Sequence, residues 1–352
     1  MNSVPTPQVR ELGFEHSRDF VPILEQLGVS LLLTTYQSGH LVSIGVHRGQ
    51  VRLTLHHFEH AMGMTRSNEW LAVGTRNQVW FLQNVPDLAA NMAPAGTFDG
   101  GYVARRSHFT GQIDCHELGY DGERVWVVNS LFSCLATLDD RASFVPQWKP
   151  PFISKLAPED RCHLNGLAMV DGKPRYVTVV SPSDEAEGWR PTKDRGGCVL
   201  EVPSGRTVVS GLAMPHSPRW HDGRLWVLNS GHGELGCIDP AQGTYQGIER
   251  VPGYTRGLAL HGPVAFVGLS KIRQTSTFGG LPIAERRAEL RSGVAIVDLR
   301  SGKSVAYLTF PQGIDEIFDV HVLPGVRTPF ISGPQPTEDG MSAVWVMPPS
   351  RL

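Results

Sequence analysis

The stretch Ser210–Glu249, SGLAMPHSPRWHDGRLWVLNSGHGELGCIDPAQGTYQGIE, constrains the fold of this chain more than any other. It reads as four short strands, Ser217–His221, Arg224–Asn229, Glu234–Ile238 and Tyr245–Glu249. Asp222-Gly223 suits a two-residue hairpin, because glycine takes the positive φ that such turns need. Gly231 and Gly233 open the next connection, and Pro240 to Gly243 the third. Four antiparallel strands in about 40 residues are one blade of a β-propeller.

The unit recurs. Inner strands are expected to begin at His60-Ala61-Met62-Gly63, Asp114-Cys115-His116-Glu117, Cys162-His163-Leu164-Asn165-Gly166, Pro215-His216-Ser217, Thr255-Arg256-Gly257 and Glu316-Ile317-Phe318-Asp319. Several run into a turn at Asp121-Gly122, Asp171-Gly172, Asp222-Gly223 or His261-Gly262. Apolar strands follow, VWVVNS (125–130), YVTVVS (176–181), LWVLNS (225–230) and VAFVGLS (264–270), whose lack of strict alternation fits burial on both faces. Ahead of these units, Val29–Tyr36, His40–Val46 and Val51–His56 read as three strands of a first blade without an evident innermost strand. Glu316–Pro348 reads as three strands of a last one, with Trp345, like Trp126 and Trp226, in the core. The count predicts seven blades, with six as the alternative if the first three strands are absorbed otherwise.

The 352 residues therefore divide into a lead-in with a short helix over 1–28 and a single all-β propeller domain over 29–352. The helix follows from the spacing of Phe20, Ile23, Leu24 and Leu27, and is expected to cap the ring. Two long connections interrupt the rhythm, Ser181–Gly197 and Ser270–Ser292, the latter with a short helix over Leu281–Leu290. Both join second to third strands, so both should flank the axial mouth where inner strands begin.

A net charge of −2 gives no reason to expect nucleic acid or an anionic membrane as partner, and no apolar run is long enough to cross a bilayer. The start lacks a secretory pattern, and five cysteines without a CxxC pair suit reduced thiols, which together predict a cytoplasmic protein. Cys115 and Cys162 are expected to pack between blades, and Cys134 to matter only if exposed.

Four successive inner-strand starts carry a histidine: His60, His116, His163 and His216. Equivalent positions on neighbouring blades face one axis, and imidazole suits iron, copper or zinc, so these are the candidate metal ligands. Structural polar lining without metal is the competing reading. Glu117 and Glu316 are candidates for orienting ligands or moving protons, and Arg256 for stabilising an anion. Asn165, Asn229, Lys271 and Arg273 are candidate substrate contacts, with Asn129, Trp189, Arg190 and His232 as further residues of the mouth. Gly231–Gly236 matches GxGxxG, but joins two strands where a dinucleotide site needs a helix.

The ordered set FEHAMGM, HFTGQIDCHEL, NSLFSCLATLD, CHLNGLAM, GLAMPHSPRWHDGRLWVLNSG, GYTRGLA, VGLSKIR and EIFDV resembles a bacterial family of conserved hypothetical proteins, classed as a domain of unknown function. The resemblance runs from about Val29 to Leu323 and implies no reaction. The residues themselves predict a metal-dependent enzyme acting on a small or peptide-like substrate at the axial mouth. A non-catalytic propeller binding a ligand or a protein is the alternative.

Overall fold

The computed structural model describes residues 12–272 and 277–347. Its strands form six sheets, one per blade, so the ring has six blades and the expected seven is corrected. The miscount came from treating the two ends of the chain as separate blades. In the structure they make one: Val29–Thr35, His40–His47 and Gln50–His57 take their innermost strand, Asp319–Pro324, from the far end of the sequence. The joint is antiparallel, pairing Leu31 with Val322 and Leu33 with Val320. A ring closed in this way leaves no exposed edge between its first and last blades.

Numbered from that joint, blade II holds Met64–Arg66, Trp70–Gly74, Gln78–Asn84 and Gly100–Phe109, and blade III Cys115–Tyr120, Val125–Asn129, Cys134–Asp139 and Ala142–Trp148. Blade IV comprises Leu164–Val170, Lys173–Val179, Gly197–Glu201 and Thr207–Leu212. Blade V runs Pro215–His221, Arg224–Asn229, Glu234–Asp239 and Thr244–Arg250, the four strands read from its sequence. Blade VI consists of Tyr254–His261, Val264–Ser270, Gly293–Asp298 and Lys303–Gln312. Asp222 and Gly223 both have positive φ, 47° and 73°, as a two-residue hairpin of twisted strands requires.

The last unit does not supply three strands to one blade. After Asp319–Pro324 the chain crosses to blade II, where Pro329–Ser332 pairs in parallel with the outermost strand. At the other terminus Gly13–His16 pairs with the outer strand of blade VI, so each chain end covers a sheet edge. Trp345 lies in no strand and is 73 % exposed, unlike the buried Trp226.

The second strands are buried over most of their length because each blade is packed on both sides; Val29–Thr35 and Val264–Ser270 are buried at every residue. The helix Phe20–Leu27 ends where Gly28 takes a left-handed φ of 64°. It does not cap the axis. Phe20 and Leu24, both fully buried, join the apolar cluster of Leu31, Ile44, Phe266 and Leu308 and fill the seam between blades VI and I. Their burial contributes roughly 3–6 kcal/mol. Near the axis, glycine lets inner strands approach: a Cβ on Gly257 would lie 2.6 Å from the Val320 nitrogen. The expected helix over Leu281–Leu290 is 3-10 turns over Pro282–Glu289, kinked at Arg286.

Candidate functional site

The inner strands enter the axis through strained backbone. His60, Asp114, Asp160, His163 and Met214 all have φ between 44° and 52°, a region costly for residues with a Cβ and concentrated at functional sites. Asp114, Asp160, His163 and Met214 line a cavity of about 420 Å³ at the mouth, joined by Met62, two residues beyond His60. Apolar and aromatic walls come from Met62, Leu131, Met214, Tyr254, Phe278 and Phe318, and polar groups from Tyr36, Asp114, His116, Asp160, His163, His216, Arg256 and Glu316. Both insertions reach this mouth as expected. Glu187, Trp189 and Arg190 of the first and Thr277 and Phe278 of the second line the cavity, and Trp189 shares an apolar cluster with Ile272, Leu281 and Ile283.

Hydrogen bonds fix the three cavity histidines in one sense. Ser130 donates its only hydroxyl proton to the Leu164 carbonyl, so it must accept from His116 Nδ1, 2.7 Å away. His216 Nδ1 lies 2.8 Å from the Met214 carbonyl, which can only accept. His163 Nδ1 lies 2.8 Å from the Asp160 carboxylate, which also accepts from Trp189 Nε1 at 2.8 Å. In all three rings Nδ1 therefore carries a proton. No described residue bonds Nε2 of any of them, which leaves that nitrogen as an acceptor. The His116 and His163 rings meet edge to face with centroids 4.8 Å apart.

Burial holds His116 and His216 well below the usual imidazole range, reinforced for His116 by His163 and Arg256 and for His216 by Arg256 and His163. Both are thus neutral at physiological pH. Arg256 stays cationic, resting 3.4 Å over the Phe318 ring with Nη1 3.3 Å from Glu316. The other Glu316 oxygen is buried without a partner. Burial, with the nearby Asp160 charge, raises Asp114, whose carboxylate has no hydrogen-bond donor among the described residues.

The structure thus brings His116, His163, His216, Arg256 and Glu316 to one cavity. His60 stands behind Tyr36, their rings 4.5 Å apart, and its Nε2 accepts from Arg76 at 2.8 Å. Glu117 points down the axis to a buried ion pair with Arg219 and accepts from the Leu167 nitrogen. Asn165 accepts from Thr178, and Asn229 accepts from the Ala213 nitrogen at 2.9 Å, so both brace the blades. Lys271 pairs with Asp315 at 2.8 Å, outside the cavity lining. Arg273 lies outside the described residues. Cys115, Cys134 and Cys162 are buried, which pushes each thiol up to about 12.

Among the described residues no group of three or more His, Cys, Asp and Glu side chains is placed to hold one metal ion. Sequence reasoning missed Asp114 and Asp160 as site residues, and the serines that orient two of the histidines. A signal was present: Asn-Ser closes the second strand in both VWVVNS and LWVLNS. Its serine meets the histidine of the same blade, Ser130 with His116 and Ser230 with His216.

Residues 18–332 match the family model described as Domain of unknown function (DUF4915). No curated protein matches the sequence. Among solved structures, a chain from a crystal structure of a nidogen/laminin complex superposes with a TM-score of 0.53 at 10 % identity, over 84 % of this chain and 98 % of that one. At that identity the likeness concerns the fold alone. No described helix is long and apolar enough to cross a membrane.

Proposed function

We propose, for a chain that belongs to the DUF4915 family and takes no reaction from it, that the axial cavity binds a small carboxylate or similar organic anion and moves a proton on it. One observation carries this reading: a guanidinium that is 14 % exposed, Arg256, faces the same cavity as three imidazoles whose Nε2 atoms are all acceptors. Arg256 gives one side of its guanidinium to Glu316, so an anion takes its remaining N–H donors, and hydroxyl or amine groups of the same molecule donate to His116 and His216. His163 differs from the other two because its Nδ1 proton rests on a carboxylate. When its Nε2 takes a proton from the ligand, Asp160 stabilises the resulting imidazolium, so His163 is the base of the set. Asp114, raised by burial and Asp160, is the matching acid.

The test is binding and solvent-deuterium exchange measured by NMR over a panel of small 2-hydroxy, 2-keto and 2-amino acids. Arg256→Met should weaken binding at least 10-fold, and His163→Gln should bind but lose exchange. A panel with no binder, or a binder indifferent to Arg256→Met, overturns the reading.

The anchoring of every Nδ1 on an oxygen favours a second reading, since that contact also orients metal-ligating histidines. His116, His163 and His216 would then have to draw together to hold iron, copper or zinc, since as placed no three such side chains among the described residues share a metal position, and would do so against the repulsion of Arg256. Near-stoichiometric metal in protein purified without tag or chelator, lost in a folded His116→Ala/His163→Ala variant, would establish it.

A further inference from the structure

The opposite end of the axis has a different chemistry. The inner strands that start at the histidine mouth end at Arg66 in blade II, His221 in blade V and His261 in blade VI, and His321 lies within the inner strand Asp319–Pro324 of blade I. With Arg219 these five side chains line a second depression of about 290 Å³, whose lining contains no aspartate or glutamate. The carboxylates nearby are spoken for or stand at its edge. Glu117 and Asp319 lie behind Arg219 as its buried ion-pair partners, and Asp222, 82 % exposed, sits 3.4 Å from His221 at the rim. Asp319 is also 3.4 Å from His321. Neither Arg66 nor His261 has a hydrogen-bond or ion-pair partner among the described residues.

We propose that this depression is a binding site for a small phosphate-type oxyanion, separate from the axial mouth. Arg219 is neutralised from behind by Glu117 and Asp319, so the free charge of the depression is that of Arg66, set among three imidazoles with no carboxylate in the lining, and the unpartnered Arg66 offers the planar donor fork that oxyanions take in pairs. The site is electrostatically unsatisfied as it stands. Burial lowers His261, and His221 and Arg66 lower it further, so the group that should carry charge is kept from doing so by its neighbours. A bound dianion reverses that balance, and binding therefore tightens as pH falls through the imidazole range. His221 already donates Nε2–H to the Gly262 carbonyl at 2.8 Å, so protonation supplies Nδ1–H as a new donor.

The probe is inorganic sulfate, a phosphate-like oxyanion that stays a dianion throughout, titrated at constant ionic strength against the full chain while the histidine Cε1–H signals are followed by NMR at pH 6.0 and 8.0. The expected result is saturable binding, at least 5-fold tighter at pH 6.0, with the His261 resonance shifting toward its protonated position. Arg66→Ala and His261→Ala should each weaken it at least 10-fold, and Arg256→Met at the other mouth should leave it unchanged. Unfolding temperatures of the variants show that the ring is intact. Absent saturation, an equal response to chloride, or undiminished binding in a folded Arg66→Ala protein each overturns the proposal.

Discussion

At the scale of single residues, the cavity depends on proton bookkeeping more than on the mere presence of histidines. Asp114 shows the consequence. Its carboxyl is raised above the ordinary value by burial and by Asp160, so the protonated form is favoured in the folded chain. A raised folded value means stability present at low pH and lost as pH climbs through the folded value. Asp114→Asn, a neutral mimic, should therefore raise the urea midpoint at pH 8 and change it little at pH 4; an unchanged or lowered midpoint at pH 8 contradicts the assignment. The histidines were legible from sequence because they recur at strand starts, yet their roles were not. Nothing in spacing distinguishes His60, turned against Arg76, from His163, held by Asp160, because the difference lies in backbone at positive φ and in partners from neighbouring turns.

At the scale of elements, the insertion of blade IV acts as a brace as well as a wall. Trp189, 2 % exposed, donates from its indole to the carboxylate that fixes His163. Trp189→Phe keeps most of the ring and deletes that donor, which should cost roughly 1–3 kcal/mol. It should also move the His163 Nδ1–H resonance followed by NMR, whereas a purely packing role would alter stability alone. Strand positions were readable to within a few residues in blade V, where Asp222-Gly223 and apolar runs agree. Blade count was not, since Asp319–Pro324 looks like the start of a unit and only its register against Val29–Thr35 shows it to be the end of another. The fates of Glu117 and Asn165 escaped for a related reason: alternation turns neighbours of a cavity residue toward the blades, where they bond Arg219 and Thr178.

At the scale of the whole molecule, both axial sites hang on the joint between chain ends. Glu316 and Phe318, which hold Arg256, and Asp319, which pairs with Arg219 and lies by His321, all belong to the stretch that completes blade I. A chain ending at residue 318 should lose cooperative unfolding and elute as aggregate in size-exclusion chromatography, because Val29–Thr35 becomes an open edge. A monomeric, cooperatively folding product would show that the ring holds without its clasp. The same arrangement also sets an order in time. During synthesis on the ribosome five blades can take shape as they emerge, but the strand that locks the circle is made after the main strands of all of them. Neither pocket exists until that strand has joined blade I, so whatever these sites act on meets only the closed ring.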